Sequence, residues 1–211
     1  VTAPLVVADF DVAGARPHAR ELVDAAADRG ARFVAVRVVD GDDETPEAHL
    51  AGRRVATLER LAAEARRAEI GLFLRLEDTL PVAGLAAALG ADKSGRAADL
   101  AGRFLVVVDK DRTGKRLRSV APQFPSAFEL PAAEGRSLAR FLPANLRRAT
   151  ADADDLVVPW GRIDAATLAA RIAPQLARRG ARLWISHVPE AEAAAAAAVP
   201  AAGIVVRFAF A

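Results

Sequence analysis

The stretch from Pro4 to Val39, PLVVADFDVAGARPHARELVDAAADRGARFVAVRVV, constrains the fold more than any other part of this chain. Its two apolar runs are short and lack clean alternation, as expected of strands buried on both faces. The segment between them carries a helical pattern that Gly30 stops, because glycine takes the left-handed conformation of a helix C-terminus without steric cost. Strand, loop, helix, strand is one unit of a parallel α/β fold.

The same alternation runs to the end of the chain. Strands are expected near 4–9, 32–39, 71–77, 103–109, 125–130, 155–160, 182–187 and 203–208, with helices near 17–29, 52–69, 81–90, 113–121, 134–149, 164–179 and 189–198. Asp164 is a good N-cap for the 164–179 helix and Gly180 a good residue just past its end. Eight strands alternating with helices predict an α/β chain folded as a (β/α)8 TIM barrel, a single compact domain over 1–211. An open doubly wound sheet is the alternative, and it would use fewer strands. In such barrels the working residues sit at the C-terminal ends of the strands. That rule nominates Asp9, Asp11, Arg37, Asp40, Arg75, Glu77 and Asp78, then Asp109, Asp111, Glu129, Trp160, Arg162, Ser186, His187 and Arg207.

Composition narrows the chemistry. The chain has no cysteine, which excludes disulfides, thiolate nucleophiles and cysteine metal sites, and its histidines are His18, His49 and His187 alone. Net charge is only +2, and the arginines of helix faces such as Arg53, Arg54, Arg66 and Arg67 interleave with Glu59, Glu64 and Glu69. That is a solvated face rather than a nucleic-acid surface, since no aromatics interleave with the charges. No run of large apolar residues is long enough to cross a bilayer. No basic leader with a cleavage signal opens the chain at Val1, so a cytoplasmic location is expected. Glycine-rich phosphate loops are missing as well, because DKDRTGK at 109–115 holds a single glycine.

Four segments together resemble the glycerophosphodiester phosphodiesterase family, which shares its barrel with phospholipase C-like phosphodiesterases. VVADFDVAGARPHARELVDAAADRGARFVAVRV follows the family's order of strand, HRG, PENT, helix, G-A-D and E-x-D. VATLERLAAEARRAEIGLFLRLED is similar to the helix that leads into its E-x-K strand. RFLVVVDKDRTGKRLRSVAPQFPSAFEL and the stretch from Asp155 to Phe208 resemble its later strands. The resemblance implies metal-dependent phosphodiester hydrolysis, with paired histidines as acid and base and carboxylates holding magnesium or calcium against the phosphate.

Carried over position by position, those motifs are replaced. The HRG triplet falls on Asp9-Phe10-Asp11, the PENT glutamate on His18, and E-x-D on Ala35 and Arg37. E-x-K falls on Arg75 and Glu77, the tryptophan of W-T-V-N on Ser186, and the last aspartate on Arg207. His49 lies at about the distance of the family's second histidine. Acidic positions have become basic and basic ones acidic, so ion pairs across the barrel mouth are expected where the family holds its metal. No metal or other cofactor is expected here.

Two functional readings follow. In one the barrel mouth binds a small anion such as a phosphate ester, with Arg37, Arg75, Glu77 and Arg207 as ligand-binding residues. In the other the barrel is an enzyme with rewired chemistry, a phosphodiester hydrolase acting through Asp9, His187 or His49. Asp9 and Asp11 also form a D-x-D pair that could hold a metal or simply cap a loop. ELVDAAADRGARFVAVRV and GADKSGRAADL resemble sialic-acid-synthase-type barrels too, the second segment matching their lysine strand although Lys93 is expected in a loop here; that likeness implies a lyase or synthase. The oligomeric state is left open.

Overall fold

The protein is described by a computed structural model over residues 3–12, 16–41, 45–77, 82–89, 103–130 and 153–210. Its strands are β1 (Leu5–Asp11), β2 (Phe33–Asp40), β3 (Pro46–Leu50), β4 (Arg53–Thr57), β5 (Gly71–Leu76), β6 (Phe104–Val108), β7 (Ser126–Glu129), β8 (Asp155–Pro159), β9 (Leu183–Pro189) and β10 (Gly203–Ala209). The helices are α1 (Ala19–Asp28), α2 (Leu58–Arg67), α3 (Val82–Ala88), α4 (Asp111–Val120), α5 (165–177, with a π turn at Leu168–Ile172 just before Pro174) and α6 (Ala193–Ala197).

Apart from the β3–β4 hairpin, the strands run parallel in the order β1-β2-β5-β6-β7-β8-β9-β10, and β1 pairs with both β2 and β10. That double pairing closes the sheet. The fold is a (β/α)8 TIM barrel, and the open doubly wound alternative is excluded.

Side-chain alternation sorts each strand into two buried faces. Val7, Phe33, Ala35, Phe73, Leu105, Val107, Ala127, Val157, Trp184 and Val205 fill the barrel interior. Their strand neighbours, such as Ala8, Val34, Val36, Leu72, Leu74, Val106, Ile185 and Val206, pack outward under the helices. Both faces are dry, which explains why the strand sequences read as continuous apolar runs.

The lower end of the barrel is filled by rings. Trp184 packs edge-on against Phe33 with centroids 6.1 Å apart, and its indole Nε1 donates to buried Asp155 at 3.0 Å. Arg182 completes Asp155's pairing with a contact of 2.7 Å. Glycine is required beside these rings. A Cβ at Gly203 would stand 2.3 Å from the Trp184 ring, and one at Gly71 would stand 2.4 Å from that of Phe33.

One expected element changes type. Residues 53–57 fall in the expected 52–69 helix but form β4, and the helix begins only at Leu58. Ala51 and Gly52 both have positive φ, 47° and 77°, as a tight hairpin turn of matching twist requires. The turn sends the chain back along β3, and the Thr57 hydroxyl then caps α2 by accepting from the Arg60 amide. The helix expected at 134–149 and Lys93 lie outside the described residues.

Candidate functional site at the barrel mouth

The period of two that buries the interior residues also aims the mouth residues. Two positions beyond Val7, Ala35, Phe73, Ala127, Trp184 and Val205 stand Asp9, Arg37, Arg75, Glu129, Ser186 and Arg207, turned to the same side of their strands. The apolar interior is therefore topped by polar groups. Those on alternate strands β1, β5, β7 and β9 bond to one another. Arg75 donates from Nη1 to Asp9 at 3.1 Å and from Nε to Glu129 at 3.3 Å, and the Ser186 hydroxyl donates to the other Glu129 oxygen at 2.6 Å.

Arg75 is the centre of this layer. Burial works against its charge, but the carboxylates of Glu129 and Asp9 more than offset that cost and raise its pKa above the ordinary arginine value. Its Nη2 is buried without a partner among the described residues. Removing Arg75 would leave both carboxylates without their shared cation in low dielectric.

His187 follows Ser186 in a β-bulge. The register steps from Ile204↔Ile185 to Val206↔Val188, and His187 takes φ 56°, in the left-handed region. The extra residue lets Ser186 keep its place in the polar layer, lets His187 reach the mouth, and returns Val188 to the helix-facing core. His187 Nε2 lies 3.6 Å from Glu129, and its Nδ1 is 3.3 Å from Arg207 Nη2. Burial first, then the charge of Arg75, push the imidazole below the ordinary histidine value, with Arg207 adding to the effect and Glu129 and Asp9 opposing it.

Above the layer opens a cavity of about 590 Å³, lined by Asp9, Arg37, His49, Arg75, Glu77, Glu129, His187 and Arg207 among others. A neighbouring recess of about 300 Å³ reaches Asp109 and Lys110 between β5, β6 and β7. All seven candidate residues from the sequence thus face one cavity, though in different states. Asp9 and Arg75 are locked together. Arg37 pairs with Glu77 at 3.3 Å while remaining 61% exposed. His49 sits on the hairpin, where Glu47 holds its Nε2 at 3.2 Å and also binds Arg54 at 2.8 Å. Arg207 has no carboxylate partner among the described residues. Glu129, nominated only by its strand-end position, and Ser186, nominated by its strand end and by the W-T-V-N alignment, prove central to the polar layer; the inward Ala127 and Trp184 two residues earlier were the available signal.

A divalent cation does not suit this donor set. Asp9 and Glu129 are the carboxylates nearest the centre of the layer, and the Arg75 guanidinium already occupies the space between them. Among the described residues no three His, Asp or Glu side chains gather into a group that could hold a metal.

No protein-family model and no curated protein sequence matches the chain. Solved structures do. A glycerophosphodiester phosphodiesterase from Agrobacterium tumefaciens superposes with a TM-score of 0.67 at 14% identity, over 97% of this chain and 95% of that one. A phosphodiesterase from Oleispira antarctica, in complex with its product sn-glycerol-3-phosphate, gives 0.67 at 11% identity, over 97% and 93%. The likeness is one of fold. Tryptophan synthase subunit alpha from Legionella pneumophila also matches, with a TM-score of 0.62 at 12% identity over 98% of this chain and 80% of that one. One barrel serves unrelated reactions, so the chemistry has to be argued from the mouth residues.

Proposed function

We propose that the barrel mouth binds a small organic anion, of which a phosphate ester is the model, and that it does so without a metal and without the metal-dependent hydrolysis of glycerophosphodiester phosphodiesterases. The observation that carries this reading is the state of Arg207. It lines the main cavity, and its polar side-chain contact among the described residues is a histidine held toward the neutral form, so its guanidinium keeps donors free for an anion. Arg37, half released to solvent beside Glu77, supplies a second cation on the same cavity. Arg75 offsets one of the two opposing charges of Asp9 and Glu129 and water screens that of exposed Asp11, so Arg207 and Arg37 have to hold the anion against one remaining carboxylate charge. Glycerol phosphate is a natural probe, because the Oleispira antarctica phosphodiesterase of the same fold holds sn-glycerol-3-phosphate.

The test is a titration with glycerol phosphate and inorganic phosphate, followed by thermal unfolding. Ligand at a hundred times its Kd stabilises the folded state by about 2.7 kcal/mol, which for a domain of this size raises Tm by roughly 5–10 °C. Arg207→Ala should weaken binding tenfold or more. Glycerophosphocholine with added calcium or magnesium should be left intact. Metal-dependent release of glycerol phosphate, abolished by Asp9→Ala, would establish the hydrolase instead.

A further inference from the structure

A second recess, of about 380 Å³, opens beside the mouth between the ends of β8 and β9, and is lined by Pro159, Trp160, Gly161, Arg162 and His187. His187 lines this recess and the main cavity alike, so the two adjoin at that residue. The recess is built around one ring. The Trp160 backbone amide donates to the Ser186 carbonyl at 2.7 Å, and its indole Nε1 donates to Glu192. These bonds fix both the root and the edge of the indole. Beside it Gly161 has φ 77°, and a Cβ added there would meet nothing within 4 Å outside its own chain neighbours, so the turn is open; the ring itself is partly buried, packed on the helix-facing core on one part and lining the recess on another. Trp184, by contrast, is sealed in the barrel interior and 2% exposed.

Resting on the anion reading above, we infer that the ligand has two parts: an anionic group held by Arg207, joined to a flat aromatic or heterocyclic ring that packs against Trp160. The one polar group of the indole, its Nε1–H, is occupied by Glu192, which leaves the ring to offer ring contact rather than a polar one. The volumes of the two recesses lie in the range of small-molecule sites, which combine apolar and aromatic walls with a few placed polar groups. A small alkyl phosphate would sit in the main cavity and leave the recess beside Trp160 to water.

The experiment compares 4-nitrophenyl phosphate with glycerol phosphate on the full chain. The aryl ester should bind roughly tenfold more tightly, as a well-placed ring contact permits. It should also quench tryptophan fluorescence, with the quench coming from Trp160 because the chain's other tryptophan is buried. Trp160→Ala should erase the tenfold advantage and leave glycerol phosphate binding unchanged, while Trp160→Phe should keep most of it. Arg207→Ala should weaken both ligands alike. Equal affinities for the two esters, or an aryl advantage that survives Trp160→Ala, would overturn the two-part ligand and leave the anion site standing. Failure of both esters to bind would overturn both.

Discussion

His187 is the residue whose chemistry is most set by its neighbours. Arg75 from β5 and Arg207 from β10 face it as cations, and Glu129 from β7 and Asp9 from β1 face it as carboxylates. Burial and the cations win, so the folded protein resists protonating it more than the unfolded chain does, where its pKa is about 6.5. The unfolded chain therefore takes up the proton first as pH falls. The stability tied to this imbalance is fully present above about pH 6.5 and is lost as pH drops through that value toward the depressed folded pKa. Urea unfolding of the parent and of His187→Gln across pH 5–8 checks the sign: the parent should lose stability toward pH 5 and the variant should lose distinctly less. Equal slopes would show that His187 is not so held. A bound anion would oppose this depression, so ligand binding at pH 6 should be accompanied by proton uptake.

At the scale of elements, the barrel strands were legible because nearly all are short apolar runs between helical patterns, a direct consequence of burial on both faces, with β7 (SAFE) the exception. The hairpin was not. RRVATLERLAAEARR continues a helical pattern without a break, and what overrides it is a turn at Ala51-Gly52 whose alanine carries no mark of its positive φ. The bulge in β9 is hidden for a similar reason, since one added residue leaves no trace in composition. Strand parity pointed to which mouth residues face inward, but the partners of Arg75 depend on strands that are not adjacent, and no local pattern encodes that stagger. The glycines beside the interior rings are more readable after the fact. Gly203→Ala forces a methyl into Trp184 and should lower stability by about 2 kcal/mol in urea denaturation. An unchanged midpoint would mean that the ring can move aside.

Across the whole molecule, the barrel joins two differently built ends. The lower end is closed by aromatic rings over Asp155, and the upper end by charged groups that bond across alternate strands. In barrel order β1 and β7 each lie two strands from β5, so Arg75 alone braces about half of the circumference through Asp9 and Glu129. That brace lies beneath the cavity rather than across its opening. Its consequence is kinetic. A ligand arriving at Arg207 need not wait for the floor to unlock, so stopped-flow fluorescence with 4-nitrophenyl phosphate should show one phase whose rate rises linearly with concentration. A rate that levels off would reveal a slow opening step before or after capture. With a rigid floor, the lifetime of the complex is then set by how firmly the ligand's own groups are held, and substitutions at the rim should change departure far more than arrival.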